Sequence, residues 1–290
     1  MALPVRRAGV LGHPIQHSLS PVLHRAAYDA LGMDWDYSAI DVTADGLAVF
    51  LDSLDPEWVG LSLTMPLKEA VIDLLTEVEP RAATVRAVNT VILDGSGRKG
   101  FNTDITGLQS ILSDALIGPS STATVVGAGA TARSSVAALA AVGVPRVVLL
   151  ARRSEAVAEL AALADVLEIC GEPGAWPPSL DALGADVVVS TAPADAAAGF
   201  PVPTRPGLLV DVLYHPWPTP LAAAWKESGG RVVGGLELLV RQAVAQVTLM
   251  TGRTPPVGVL RSAGSAALSA SGGPAGRVGP GREDIAQAEQ

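Results

Sequence analysis

Along this chain the spacing of apolar positions switches repeatedly between two periods. Over residues 20–31, Val22, Leu23, Ala26, Ala27, Ala30 and Leu31 recur every three or four positions, which predicts a helix. Ser20 fits its N-cap, Pro21 its first turn and Gly32 its stop. Short apolar runs over 8–11, 37–42 and 59–64 predict strands, and helical spacing returns over 46–54 and 67–75. Residues 87–93 and 99–102, joined through Asp94-Gly95, read as a hairpin. A helix over 104–116 follows, and the Gly, Pro and Ser of 118–122 mark a candidate domain edge.

Beyond that edge the pattern becomes more regular. Strands are predicted over 123–126, 146–150, 185–190 and 207–213, with a helix over 131–142. Such strand–helix alternation predicts a parallel, doubly wound sheet and places the chain in the α/β class. A helix over 236–250 is expected to return to the first half. From Gly264 onward Gly, Ser, Ala and Pro dominate without an apolar period, so residues 264–290 are expected to be disordered.

Composition narrows the function classes. With 290 residues, 49% of them hydrophobic, the chain can fill one large or two modest cores. A net charge of −9 argues against a nucleic-acid partner, but leaves room for a small anion in a local pocket. Cys170 is the single cysteine, which excludes an internal disulfide framework. No histidine pairs with a carboxylate at metal-ligand spacing, so no metal is expected. The apolar stretch before Gly12 is too short for a signal peptide, and no run approaches a membrane span of about 18 residues. A cytoplasmic protein without a membrane partner is the expectation.

The sharpest local motif is Gly127-Ala128-Gly129-Ala130-Thr131-Ala132, directly after a predicted strand and opening a predicted helix. Gly127 permits the tight turn, Gly129 lets the backbone approach a pyrophosphate, and Ala132 allows close helix–strand packing. That context points to a dinucleotide. NAD sites place an acid at the end of the next strand; here Arg152 and Arg153 stand there, which suits the 2′-phosphate of NADP. Glu155 is the rival acid, but it also fits the first turn of a helix capped by Ser154.

Other polar residues interrupt apolar segments. Ser18 and Ser20 are two apart at a helix start, so their hydroxyls point the same way and can hold an anion such as a carboxylate; one capping serine and one loop serine fit equally. Lys68 falls in the first turn after Pro66, where a cation opposes the helix dipole and can serve proton exchange, or simply face solvent. Asn89 lies inside an otherwise apolar strand, Asp104 at a strand end as a possible N-cap, and Gln242 beside an apolar helical stripe.

Taken in order, these motifs resemble the shikimate dehydrogenase family. The likeness runs through the Gly12–Pro21, Leu63–Lys68, Ala87–Thr90, Gly100–Asp104 and Gly127–Arg133 stretches, then Asp211–Tyr214, Pro218–Leu221 and Gly235–Gln242. It implies an N-terminal α/β substrate domain and a Rossmann-type NADP domain with the active site between them. The expected units are 1–104 plus 235–263 for substrate, 105–234 for NADP, and the tail 264–290. The activity implied is the NADPH-dependent reversible reduction of 3-dehydroshikimate to shikimate, on the path through chorismate to the aromatic amino acids, by a monomer or homodimer. On that likeness Ser18 and Ser20 hold the substrate carboxylate with Tyr214 alongside. Lys68 and Asp104 match the catalytic pair. Thr64, Asn89 and Gln242 match groups that bind ring hydroxyls. Gly127, Ala128, Gly129, Ala130, Thr131, Arg152, Arg153 and Gly235 match the cofactor site.

Two positions depart from the family pattern. Family members commonly carry Asn where this chain has Ser62, and Asn-Arg-Thr where it has Ala151-Arg152-Arg153. The first change bears on substrate preference. The second removes an amide but adds a cation, so preference for NADP is retained. A quinate/shikimate dehydrogenase preferring NAD is the alternative enzyme, disfavoured by the arginine pair. A non-catalytic NADP-binding regulator is the other alternative, disfavoured by the presence of Lys68 and Asp104.

Overall fold

The computed structural model describes residues 6–271. Two six-stranded sheets lie one after the other along the chain. The first is built from β1 (Arg6–Gly12), β2 (Trp35–Asp41), β3 (Trp58–Leu63), β4 (Glu77–Val78), β5 (Thr90–Asp94) and β6 (Gly97–Phe101), in the order β2-β1-β3-β5-β6-β4. β1 pairs in parallel with β2 and β3, whereas β5 runs antiparallel to both β3 and β6. The predicted hairpin is this β5–β6 pair. Helices α1 (Ser20–Leu31), α2 (Leu47–Asp52), α3 (Leu67–Ala70) and α4 (Pro80–Thr84) connect the strands.

α5 (Thr103–Asp114) then leads to the second sheet. That sheet holds β7 (Ala123–Val126), β8 (Arg146–Leu150), β9 (Cys170–Pro173), β10 (Val187–Ser190), β11 (Leu208–Asp211) and β12 (Arg231–Gly234). All five pairings are parallel and the order is β12-β11-β10-β7-β8-β9. Counted along the chain from β7, this is the doubly wound dinucleotide order, with its switch point between β7 and β10. α6 (Ala130–Ala141), α7 (Ser154–Val166), α8 (Leu180–Leu183) and α9 (Pro220–Glu227) complete it. The buried runs Ala123–Val126 and Val187–Ser190 are apolar on both faces apart from Thr124 and Ser190, as a sheet covered on both sides requires.

α10 (Gly235–Thr251) and α11 (Val257–Ser271) return to the first sheet. α10 packs on α1, β3 and β5 as well as on α5, and α5 packs in turn on α6. One apolar cluster therefore joins the halves, from Val85, Ile105 and Leu238 to Val125 and Val136. A second, around Leu23, Tyr28, Val240 and Leu260, fixes α10 and α11 against β1 and α1.

Four local expectations are corrected. Leu19, not Ser20, is the N-cap of α1, and Ser20 is its first residue with no side-chain capping bond. Asp104 is not a cap either: Asn102 caps α5 by accepting from the Ile105 N–H at 3.1 Å. Arg153 occupies the N-cap of α7 and Ser154 begins the helix, with Glu155 in its first turn. Finally, the tail does not begin at Gly264, because α11 continues to Ser271. Gly264 is buried, and a Cβ there would sit 2.7 Å from Leu236 and 3.0 Å from Leu23. Its smallness lets α11 approach α10 and α1, a packing signal rather than an apolar period. The remaining tail, residues 272–290, lies outside the described residues.

Candidate active site

The ends of three strands are stitched together at the edge of the first sheet. Leu63 N–H donates to the Asn89 carbonyl at 2.8 Å, Thr64 N–H to Leu11 at 2.9 Å, and His13 N–H to Met65 at 3.0 Å. The Gly12–Ser20 loop, the Thr64–Pro66 turn and the Asn89 strand entry therefore share one wall. α3 begins right after that turn and carries Lys68; α5 begins right after β6 and carries Asp104. Lys68 Nζ donates to Asp104 Oδ2 at 2.6 Å, with 15% and 5% of the two side chains exposed. Asp104 also accepts from Asn89 Nδ2 at 2.9 Å. It lies in the first turn of a 12-residue helix, where the dipole favours negative charge. A buried carboxylate is thus held by a cation, an amide and a helix terminus together.

A cavity of about 250 Å3 opens over this pair. Ser18, Ser20, Thr64, Lys68, Asp104, Thr131, Tyr214, Gly235 and Gln242 all line it, so the structure gathers expected residues spread from 18 to 242. At the serine end, the Ser20 backbone N–H donates to Ser18 Oγ at 3.3 Å, and the Ser20 carbonyl accepts from His24 Nδ1 at 3.0 Å. Burial lowers the His24 imidazole to about 4, so it holds that carbonyl as a neutral donor. Tyr214 comes from the loop after β11. Asp211 organises that loop, accepting from Leu213 N–H at 3.1 Å and from Thr219 Oγ1 at 2.5 Å. Burial raises the Tyr214 hydroxyl above its ordinary pKa and keeps it a neutral donor.

Asn89 is placed one layer back. It is 1% exposed, and both Nδ2 hydrogens are used, on Asp104 and on Gln242 Oε1 at 2.9 Å. Its Oδ1 accepts from Thr103 N–H at 2.8 Å. Expected as a group touching a ring hydroxyl, Asn89 is not among the residues lining this ligand-free cavity, and it hydrogen-bonds two that are.

The second cavity, of about 530 Å3, lies over the switch point of the parallel sheet. Gly127, Ala128, Gly129, Arg152 and Arg153 line it, together with Trp176 and Thr191. Gly127 has φ +108°, and a Cβ there would fall 2.2 Å from Thr191 Oγ1, so only glycine fits the turn. Nothing stands within 4 Å of a Cβ built on Gly129, which is the open face a pyrophosphate needs. Gly129 caps α6 with no side chain, leaving the helix N–H groups free for an anion. Arg152 and Arg153 are exposed, and among the described residues neither has a carboxylate within 4 Å. The donor set fits a phosphorylated dinucleotide. Ala130 begins α6 and lines neither cavity, while Thr131 and Gly235 line the first rather than the second.

Three polar cavity residues were not singled out as ligands by the sequence: His17, Ser62 and Gln246. Gln246 was within reach, because it lies four residues after Gln242 on the same helical face. His17 carried no signal of its own; its ring lies 6.4 Å from that of His215.

Known proteins resemble this chain in sequence and in fold. The family model described as the shikimate dehydrogenase substrate binding domain matches residues 10–91, and the one described as the shikimate 5′-dehydrogenase C-terminal domain matches residues 235–263. A shikimate dehydrogenase (NADP(+)) of Moorella thermoacetica is 38% identical over 92% of this chain and 95% of its own length. The crystal structure of Mycobacterium tuberculosis shikimate dehydrogenase superposes with a TM-score of 0.82 at 41% identity, over 90% of this chain and 99% of that one. The Thermus thermophilus enzyme in complex with NADP(H) and shikimate gives 0.78 at 30% identity, over 91% and 100%. With sequence likeness spanning nine-tenths of its length, this chain belongs to the shikimate dehydrogenase family.

Proposed function

We propose that this chain catalyses the NADP-dependent, reversible reduction of 3-dehydroshikimate to shikimate, a step of the shikimate pathway. The observation that carries it is the buried Lys68–Asp104 pair, 2.6 Å apart, facing a cavity with two serines on its wall and the cofactor-domain residue Thr131 on its lining. Bound NADPH supplies hydride to the carbonyl carbon. Lys68 gives a proton to the oxygen that becomes the hydroxyl and takes it back in the reverse direction. Asp104 holds the ammonium and accepts from the same hydroxyl. Ser18 and Ser20 hold the carboxylate at the start of α1, assisted by Tyr214. Thr64 and Gln242 bind ring hydroxyls, with Asn89 orienting Gln242 from behind.

Arg152 and Arg153 select the 2′-phosphate, and the Gly127–Gly129 turn with the start of α6 takes the pyrophosphate. Residues 6–104, with α10 and α11, form the substrate unit, and 105–234 the NADP unit. Initial rates of shikimate and quinate oxidation with NADP+ and NAD+ test the proposal. Shikimate with NADP+ is expected to be the best pair by at least about tenfold, the scale of one charge-assisted contact. Equal rates with NAD+, or preference for quinate, would replace it with the alternative reading.

A further inference from the structure

Behind the substrate cavity runs a chain of buried hydrogen bonds whose direction is fixed by backbone groups. Gln246, 2% exposed, places Nε2 3.3 Å from the Asn89 carbonyl and 3.1 Å from Thr90 Oγ1. A carbonyl only accepts, so the amide's NH2 group must face it. The Oε1 of Gln246 then faces Ser62 Oγ at 2.9 Å and takes the single Ser62 proton. Tyr37 OH stands 2.7 Å from the same Ser62 oxygen and must therefore donate to it. Tyr37 and Ser62 are 0% and 3% exposed, so solvent offers neither an alternative.

The same reasoning orients the neighbouring amides. Asn89 Oδ1 receives the Thr103 N–H at 2.8 Å, so Asn89 Nδ2 donates to Gln242 Oε1. Gln242 is left with its NH2 group for the cavity that it lines. Ser62, on the same cavity, is left with one lone pair and no proton.

We infer that Ser62 is a specificity-determining residue that presents an acceptor and no donor to the substrate, while Gln242 presents a donor. An amide side chain at position 62 would offer both. Ser62 with its proton committed to Gln246 offers one, so the ring group that meets it must be a hydroxyl that donates. A group there without a proton leaves two lone pairs facing each other in a buried site, the kind of mismatch that discriminates most strongly. Tyr37 and Gln246 act as positioning residues, because they set the direction of the Ser62 proton. This inference rests on shikimate as the ligand.

Calorimetric titration of the wild-type protein with shikimate, and with three analogues each carrying fluorine in place of one ring hydroxyl, tests it. Fluorine cannot donate. Ser62→Ala is expected to weaken shikimate binding about tenfold, as for one buried hydrogen bond. One fluoro-analogue should lose less than about twofold on the same substitution, on the scale of no lost bond. The other two should lose as much as shikimate does. Ser62→Thr, which keeps the hydroxyl, should restore shikimate affinity. Should thermal melting show Ser62→Ala unfolded, Ser62→Cys supplies a near-isosteric side chain that is a poor acceptor, with the same expected pattern. Equal losses for all four ligands, or unchanged shikimate affinity, overturn the role of Ser62 while leaving the proposed reaction intact. A wild-type protein that neither binds nor oxidises shikimate overturns the substrate reading, and this inference with it.

Discussion

The two cavities are built by opposite means. The substrate cavity is defined by side chains that hold one another: Lys68, Asp104, Asn89, Gln242, Ser62 and Gln246 form one connected set, most of it buried. The cofactor cavity is defined by the absence of side chains at Gly127 and Gly129, by free N–H groups at the start of α6, and by two exposed arginines. A small ring with several hydroxyls needs donors and acceptors fixed in advance, because each misplaced one costs binding. A dinucleotide binds through charge and a close backbone approach, which shape alone supplies. Disturbances should therefore spread within the first site and stay local in the second.

Breaking the connected set should give the largest effect. Asn89→Leu removes the amide donated to Asp104 and Gln242 and the acceptor used by the Thr103 N–H. Turnover should fall by about 10²-fold or more and stability by about 2–4 kcal/mol, as several buried groups lose partners. NADPH affinity, measured by fluorescence titration, should change little. Normal kcat in a folded variant would show that the set is not connected in the way described.

On the cofactor side the effect should be smaller and confined. Arg152→Ala should raise the KM for NADPH by about 10–150-fold, the range for a lost charge-assisted contact. The KM for shikimate and the melting temperature should hold. A matching rise for NADH would mean that Arg152 touches something other than the 2′-phosphate.

The α10–α11 region sharpens the contrast through stability alone. A chain ended after Ala263 loses Gly264 and its contact with Leu236 and Leu23, and should melt several degrees below one ended after Ser271. Equal melting temperatures would show that the end of α11 contributes nothing. The smallest effect is expected at Glu237, which accepts from Arg261 at 2.8 Å and from Arg241 at 2.7 Å. Arg261 first, then Arg241, holds its carboxyl down to about 2, against partial burial that acts the other way. A depressed carboxylate contributes stability above its ordinary range, and that contribution is lost as pH falls from about 4.5 toward 2. Glu237→Gln should cost about 1–2 kcal/mol at pH 7 by urea unfolding, with the gap narrowing below about pH 4.5 and closing only as pH falls to about 2. A gap that persists unchanged at low pH would assign the loss to packing.

Much of this was legible in the sequence for a physical reason. The glycine turn, the parallel strands and Lys68 after Pro66 are local patterns, and local patterns survive in one dimension. The caps were misread by a residue or two because Ser20, Asp104 and Ser154 are all good capping residues. Which one caps depends on where the preceding strand releases the chain. Asn89 could be identified but not placed. Whether its amide meets a ligand or two neighbours depends on Gln242, which lies 153 positions away in sequence. The end of α11 was missed because small residues such as Gly264 pack through closeness, which apolar periodicity does not register. Ser62 stood out only as a departure; its role emerges from Tyr37 and Gln246, brought to it by separate elements.

The central claim is that Lys68 moves the proton and that the rest of the connected set holds it in place. Steady-state kinetics of folded Lys68→Ala protein test it most directly. General acid–base groups contribute about 10²–10⁴-fold, felt at the transition state more than in the bound ground state. The account predicts a kcat lower by that factor, a KM for shikimate changed by less than about threefold, and unchanged NADPH affinity. A near-normal kcat with a greatly raised KM would make Lys68 a binding residue and contradict the account.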